Sequence, residues 1–266
     1  MAELRAMDIH SGDVVLVHAS LRRLGRVVDG VGTVLASLRE VIGPEGTLVV
    51  PTFTSSNSDT SRVHANRTRG MTPSDLLEYR ACLPPFDAET TPSIECGLLT
   101  ERVRSQPGAV RSRHPQTSFA ALGPAARLLM SDHDPADHLG ESSPLAKLYM
   151  KKAQVLLLGV AYESCTAFHL AEYRYSPSPP RTVYGCMIET HSGPRWWQYE
   201  DVVLDDRDFG ECGLEMEGSV PVVKGRVGDA DSRCFSLVEA VDFAESWLRR
   251  NRLNVGASIS SYDGIR

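Results

Sequence analysis

Three polar side chains stand three residues apart shortly after the most apolar segment of the chain: Thr166, His169 and Glu172. In a helix this spacing places them on one face. A carboxylate that accepts a hydrogen bond from one imidazole nitrogen fixes the tautomer and raises the basicity of the other nitrogen. The pattern therefore indicates a general base, with the Thr166 hydroxyl available to a reacting carbonyl oxygen. An ordinary His–Glu pair on a helix surface explains the same spacing, and the three residues alone leave both explanations open.

Two further segments have the composition of anion-binding sites. A glycine-containing loop leads into a predicted helix that starts at Val31. The free backbone N–H groups of its first turn would bind phosphate together with the hydroxyls of Ser20 and Thr33. The second segment, residues 111–118, contains two arginines and three hydroxyl side chains, which suits a phosphorylated ligand. A simple turn and a solvated basic loop are the respective alternatives.

Other reactive side chains carry weaker signals. His133 and His138 lie among aspartates but lack the spacing of a metal site, so we predict a solvated loop there and no bound metal. The six cysteines stand singly, which is typical of reduced, buried thiols. Cys165, beside the His169 segment, is an alternative acyl carrier. The chain contains no G-x-S-x-G motif, which argues against an α/β-hydrolase.

The composition is that of a soluble globular protein, with 42% hydrophobic and 23% charged residues among 266. No apolar run reaches the roughly 18 residues of a membrane span, and the N-terminus lacks the pattern of a signal peptide. We therefore expect a cytoplasmic protein. The net charge of −6 argues mildly against nucleic acid as a partner and suits a cationic ligand better.

These candidate groups need elements to position them. Residues 14–17 and 47–51 read as buried strands and residues 31–42 as the helix that connects them, which predicts a parallel β-α-β unit. Residues 154–160 read as the most apolar strand, followed by a helix over residues 165–174. In open α/β sheets, ligands bind beyond the carboxyl ends of the strands, where the candidate residues fall.

The C-terminal half follows a different pattern. Residues 182–189 and 195–203 read as an antiparallel pair, residues 219–227 as another strand and residues 235–250 as a closing helix. Residues 251–266 lack periodicity and are expected to be frayed or docked. We predict one α/β domain over residues 1–266 whose C-terminal part is rich in antiparallel strands.

Four blocks of sequence, covering nearly the whole chain, carry a resemblance to a known family. The first contains Val17-His18-Ala19-Ser20-Leu21 and Gly43-Pro44-Glu45-Gly46, and the second Arg111-Ser112-Arg113-His114-Pro115. The third runs from Ser143 to Glu172, and the last is residues 225–230. In this order the blocks resemble the signatures of the aminoglycoside 3-N-acetyltransferase family, which is unrelated to the GCN5-like acetyltransferases.

The resemblance implies a three-layer α/β/α fold with a mixed central sheet, acetyl-CoA as donor and an aminoglycoside or related polyamine as acceptor. It implies direct attack by the substrate amine on the thioester, with His169 and Glu172 as the base and Thr166 beside them. The implied acetyl-CoA contacts are Ser20, Leu21, Val31, Gly32, Thr33, Ser112, His114, Ser118 and Phe119. Carboxylates expected around the cationic acceptor are Glu95, Glu163, Glu172, Asp205, Asp206 and Glu211.

Several questions stay open at this point. Residues 52–70 and 205–217 are expected to set acceptor choice, so the particular antibiotic and amine are undefined. The family also includes acetylases of amines other than aminoglycosides. An antibiotic-sequestering protein without chemistry and a metal-dependent hydrolase are further alternatives, and either a monomer or a homodimer fits.

Overall fold

The first βαβ unit forms as its periodicity predicts. The computed structural model describes residues 2–93 and 96–259, with only the backbone given for residues 254–259. Strand β1 (Val14–Ala19) pairs in parallel with β2 (Thr47–Pro51), and helix α2 (Val31–Ile42) connects them. Helix α2 ends at Gly43, whose φ of 67° suits a glycine, and Pro44 follows it. The predicted bounds of α2 and β2 are confirmed.

A mixed sheet forms the centre of the molecule. Besides β1 and β2 it contains β3 (Val110–Arg111), β4 (Phe119–Leu122), β5 (Gln154–Leu158), β8 (Val222–Val227) and β9 (Ala230–Ser236). The seven strands run in the order β3-β4-β2-β1-β5-β9-β8, and β1 is parallel to both of its neighbours whereas the remaining pairs are antiparallel. A separate two-stranded sheet consists of β6 (Arg181–Thr190) and β7 (Gly193–Val202). The predicted α/β class and the antiparallel C-terminal part are confirmed.

Helices cover both faces of this sheet. Besides α2, the helices of the described residues are α1 (Ala2–Arg5), α3 (Arg62–Arg67), α4 (Pro73–Ala81), α5 (Leu98–Arg104), α6 (Ala126–Met130), α7 (Pro144–Met150), α8 (Phe168–Arg174), α9 (Phe209–Met216) and α10 (Leu237–Ile259). In β5, Val155 and Leu157 pack with α6 to α10, whereas Leu156 and Leu158 pack with α1, α2 and α5 on the opposite face. Successive strand residues point to opposite faces, so a continuous apolar run supplies two cores. The three-layer arrangement is confirmed.

Several sequence-based bounds were wrong. Phe235 belongs to strand β9, which pairs with β5 from Gln154↔Ser236 to Leu158↔Ser232 and was not recognised because its residues are largely polar. The closing helix begins at Leu237 and continues to Ile259, so the predicted end at residue 250 is wrong; residues 260–266 lie outside the described part. Residues 52–70 contain a 3-10 turn and α3, and residues 205–217 contain α9.

Within the described residues, no helix is both long enough and apolar enough to cross a membrane.

Candidate active site

The His169–Glu172 pair exists as the spacing predicts. Helix α8 carries both residues, and Nδ1 of His169 lies 2.6 Å from Oε2 of Glu172. The Glu172 side chain is completely buried, whereas 14% of the His169 side chain is exposed. An ordinary surface pair would leave both groups in water, so the burial of Glu172 favours a functional site over a surface contact. The contact at Nδ1 leaves Nε2 as the nitrogen available for chemistry.

Glu172 is held from behind by groups distant in the sequence. Its Oε1 accepts hydrogen bonds from Nη1 of Arg252 at 2.6 Å and from the backbone N–H of Asp205 at 2.9 Å. Arg252, on α10, also donates to both carboxylate oxygens of Asp208, at 2.5 and 2.8 Å. Burial lowers the pKa of Arg252, but the bonds to Asp208 and Glu172 outweigh burial and raise it above its ordinary value. Sequence reasoning missed Arg252, because it falls in the segment expected to be frayed.

A cavity of about 390 Å³ lies in front of His169. Its wall is rich in hydroxyl and amide groups from the segment after β2, the loop before β4 and the hairpin. The lining residues are Phe53, Ser55, Ser58, Thr60, Ser61, Gln116, Thr117, His138, Leu139, His169, Thr182, Tyr184, Val203, Leu204 and Asp206. A lining of hydrogen-bonding side chains that includes the His169 imidazole suits a polar, multiply hydroxylated ligand.

Thr166 lies beside the pair but not on its helix. Helix α8 begins at Phe168, so the prediction that Thr166 shares a helical face with His169 and Glu172 is wrong. Thr166 belongs to the turn before the helix, where its carbonyl accepts the His169 N–H at 3.1 Å. It is 6% exposed. Its catalytic role stays a prediction.

His18, at the end of β1, is a second imidazole close to His169. Its Nε2 is buried and has no hydrogen-bond partner in the part of the chain that the structure describes. Burial, and then the proximity of His169, lower the pKa of His18 to about 3. This side chain is therefore neutral at physiological pH. Sequence reasoning used His18 only as part of a family block.

The first loop proposed for phosphate binding is accessible. Ser20, Leu21, Val31, Gly32 and Thr33 are all partly exposed, at the end of β1 and the first turn of α2. The helix begins after Gly30 without a side-chain cap, which leaves its first N–H groups available to a ligand. Thr33 also lines a second cavity, of about 210 Å³, against Leu24 and Leu158. The Thr33 hydroxyl itself donates to the Val28 carbonyl at 2.6 Å.

The second loop is different, because Ser112, His114, Ser118 and Phe119 are completely buried. The Ser112 hydroxyl bonds to Nδ1 of His133 and to the Phe119 N–H, both at 2.9 Å. His114 accepts from two backbone N–H groups, and the Ser118 hydroxyl bonds to the Thr52 hydroxyl at 2.9 Å. These contacts shape the loop beside the cavity. Cofactor contact by the four residues stays a prediction.

The two histidines of the His133 segment are buried, whereas Asp132 and Asp134 are exposed, so the prediction of a solvated loop was wrong for the histidines. His138 is 2% exposed and its Nδ1 lies 2.8 Å from Oδ2 of Asp201, while its Nε2 lies 2.8 Å from the Tyr199 hydroxyl. Burial lowers the pKa of His133 to about 4. Across the described ranges, no group of three or more His, Cys, Asp or Glu side chains is arranged to hold a metal ion.

The predicted acceptor carboxylates divide by location. Asp206 lines the His169 cavity. Asp205 is paired with Arg207, whose hydrogen bond lowers the pKa of Asp205 to about 2 despite partial burial. Glu163 and Glu211 are exposed on the turn before α8 and on α9, and do not line the cavity. Glu95 lies outside the described residues.

Comparison with known proteins assigns the chain to a family. The family model described as aminoglycoside 3-N-acetyltransferase matches residues 16–249. The aminoglycoside N(3')-acetyltransferase-like protein YokD of Bacillus subtilis is 36% identical over 94% of this chain and 90% of that protein. Aminoglycoside N(3)-acetyltransferase VII of Streptomyces paromomycinus is 34% identical over 92% of this chain and 88% of its own length.

Solved structures of related proteins agree with this family assignment. The YokD crystal structure is similar at a TM-score of 0.87 and 35% identity, covering 94% of this chain and 92% of that one. The structure of AAC-IIIb with CoASH gives a TM-score of 0.80 at 30% identity, covering 94% of each chain. Together with the fold and the site, these matches define the protein as an acetyltransferase enzyme. Within that class, the chain belongs to the aminoglycoside 3-N-acetyltransferase family.

Proposed function

We propose that this protein transfers the acetyl group of acetyl-CoA to an amino group of an aminoglycoside, with His169 as general base and Glu172 as its partner. The observation that carries the proposal is the His169–Glu172 pair, 2.6 Å apart, at the wall of a polar cavity in a chain of this family. Acetylation would convert a cationic ammonium group of the antibiotic into a neutral amide.

The chemistry assigned to each residue is simple. The amine attacks the thioester carbon, a C–N bond forms, and Nε2 of His169 takes the proton that the nitrogen loses. Glu172 stabilises the imidazolium through Nδ1. The tetrahedral intermediate then collapses, the C–S bond breaks, and the thiolate of CoA leaves with its electron pair and takes the proton back from His169. The Thr166 hydroxyl is proposed to donate to the carbonyl oxygen as charge develops there.

Two features support acetyl-CoA as donor. The accessible first turn of α2, with the partly exposed Ser20 nearby, offers uncapped backbone N–H groups to a phosphate. The related AAC-IIIb was solved with CoASH. The α2 site and the His169 cavity both lie at the ends of neighbouring strands, so a ligand that spans them would bring its thioester to the base.

The acceptor assignment rests on the polar cavity and on related proteins. Structures of AAC-VIa contain sisomicin, and one of AAC(3)-IVa contains a gentamicin. In this chain the hydroxyls of the segment after β2 and the Asp206 carboxylate are proposed to bind the hydroxyl and ammonium groups of such a molecule.

A thiol-release assay with acetyl-CoA tests the function directly. The purified protein is incubated with individual aminoglycosides and, separately, with simple primary amines. Release of CoA thiol that depends on an aminoglycoside supports the proposal, and product analysis identifies the amine. Release only with simple amines would assign a different acceptor class. Tight antibiotic binding without thiol release would instead indicate a sequestering protein.

Replacement of the base tests the mechanism. We expect His169→Ala to lower kcat by about 10²- to 10⁴-fold while acetyl-CoA still binds, because the proton acceptor is lost but the α2 site is intact. His191→Ala is the matched control, since His191 is exposed on the turn between β6 and β7. Stopped-flow or steady-state kinetics and calorimetric titration with CoA provide the two readouts. Full activity of His169→Ala would refute the mechanism.

A further inference from the structure

Glu172 is a buried carboxylate with one permanently charged partner, Arg252. Glu172 is completely buried, and a carboxylate removed from water is stable as an anion only when it is paired and hydrogen bonded. Three donors reach it: His169 on Oε2, and Arg252 and the Asp205 N–H on Oε1. Of these, Arg252 alone carries a permanent positive charge.

Arg252 is itself held in place with two-point geometry. Its side chain is 18% exposed, and its Nε and Nη2 bind the two carboxylate oxygens of Asp208 at 2.8 and 2.5 Å, which leaves Nη1 directed at Glu172. Nη2 also donates to the Asp205 carbonyl at 2.5 Å. A planar guanidinium can satisfy this fork whereas an ammonium cannot. The structure thus contains a row of alternating charges, Asp208, Arg252 and Glu172, that ends at the imidazole of His169.

The proposed base has two requirements that conflict: Glu172 must orient the imidazole of His169, but its negative charge also favours the protonated imidazole. A buried anionic Glu172 next to His169, without a counter-ion, would hold a proton on the pair and leave the base already protonated at neutral pH. A positive charge on the other carboxylate oxygen opposes that protonation while Glu172 still orients Nδ1. We infer that Arg252 is a positioning residue that keeps Glu172 ionised and His169 unprotonated, so that the base is available at neutral pH. This inference rests on the proposed role of His169.

Groups on every neighbouring element contribute to the local field. The charged and titratable side chains around His169 come from α8, α10, the segment before α9, the end of β1 and the opposite cavity wall. They are Glu172, Arg252, Asp205, Asp206, Asp208, His18, His138, Tyr175 and Tyr184. Removal of Arg252 changes one of these charges and leaves the rest of the set in place.

The test is the pH dependence of the Arg252→Met enzyme. We expect the acid limb of kcat/KM to move to higher pH by about one unit, because the His169–Glu172 pair then retains its proton longer. Activity on the acid limb should fall by up to about tenfold, the limit set by a shift of one unit, and recover in large part as the pH rises. Arg249→Met is the matched control: Arg249 lies one turn earlier on α10, pairs with Glu245, and should leave the profile unchanged.

A second readout does not depend on turnover. The protonation of His169 is followed by NMR in wild-type and Arg252→Met protein, with His169→Asn used to assign the resonance. The same upward movement is expected without substrate. If the wild type shows no acetyl transfer, the proposed function fails while this titration still tests the inference. A pH profile and an NMR titration that do not move would overturn it, including the case in which activity falls equally at every pH.

A double variant distinguishes an effect of Arg252→Met that acts through Glu172 from a general loss of folding. Glu172→Gln removes the buried charge that Arg252 balances, so Arg252→Met should change the activity of Glu172→Gln by less than about twofold. Thermal denaturation verifies that the double variant is folded. A further loss in that background as large as in wild type would show that Arg252 does not act through Glu172.

Discussion

At the scale of single residues, the candidate site combines a partly exposed imidazole with buried titratable side chains. His169 faces a polar cavity, whereas His18 behind it is kept neutral by burial. Glu172 is buried yet paired on both oxygens. A general base needs one basic nitrogen that is directed toward the ligand. With Nδ1 of His169 bound to Glu172, Nε2 is the nitrogen left for that role.

Cys165 provides a residue-scale prediction about the alternative mechanism. It is 1% exposed, and burial raises the pKa of its thiol to about 12, so that it is neither ionised nor accessible. We expect Cys165→Ser to retain nearly full turnover and expect no acetyl-enzyme to accumulate with labelled acetyl-CoA alone. Mass spectrometry of the intact protein checks the second point. An acetyl adduct on wild type that is absent from Cys165→Ser would support the covalent route instead.

At the scale of elements, helix α9 packs closely against the turn that precedes α8. A Cβ added at Gly213 would lie 2.0 Å from Cγ of Tyr162, a ring buried in the core. The helix can therefore approach this turn only because residue 213 has no side chain. This contact positions the segment that supplies Asp208 to Arg252 and the Asp205 N–H to Glu172.

Substitution of glycines on α9 tests that packing. We expect Gly213→Ala to lower the free energy of unfolding by about 1–3 kcal/mol, because the added Cβ would overlap the buried Tyr162 side chain. Gly210→Ala, on the same helix, should be close to neutral, since its Cβ would meet the carboxylate of the exposed, flexible Glu163. Urea denaturation of both variants gives the comparison. Equal losses would contradict the packing explanation.

At the scale of the whole molecule, buried neutral histidines couple stability to pH. His18, His114 and His133 are buried, and burial is the main cause that lowers the pKa of each, to about 3 for His18 and about 4 for His133. In the unfolded chain the same side chains take up protons below about pH 6.5. The unfolded state then binds more protons than the folded state, so stability falls with decreasing pH.

This linkage gives a quantitative expectation. Between pH 7 and pH 5, His18 and His133 should each lower the free energy of unfolding by about 2 kcal/mol, and His114 should act in the same direction. His18→Leu should remove about one such contribution from the pH dependence, measured as the difference between urea denaturation at the two pH values. His191→Gln, on an exposed residue, should leave the difference unchanged. An unaltered difference in His18→Leu would show that this histidine does not remain neutral in the folded protein.

Features encoded within a few residues were predictable. The His169–Glu172 contact follows from a spacing of three on a helix, and α2 follows from its apolar stripe and the Gly43-Pro44 stop. The β1 and β5 strands were recognised because burial on both faces requires an unbroken apolar run. The polar strand β9 was missed, since it is specified by pairing with β5 and β8 rather than by its own pattern.

The sequence by itself thus determined the His169–Glu172 contact, the α/β class and the family blocks, all of which rest on local spacing or on recognisable motifs. Tertiary structure alone decided which groups surround them. Arg252 reaches Glu172 from 80 residues away, and Asp201 reaches His138 from 63 residues away. The burial of Ser112, His114 and Ser118 likewise depends on what packs over them. Such contacts form only when separate elements are brought together by the core, so no local periodicity records them.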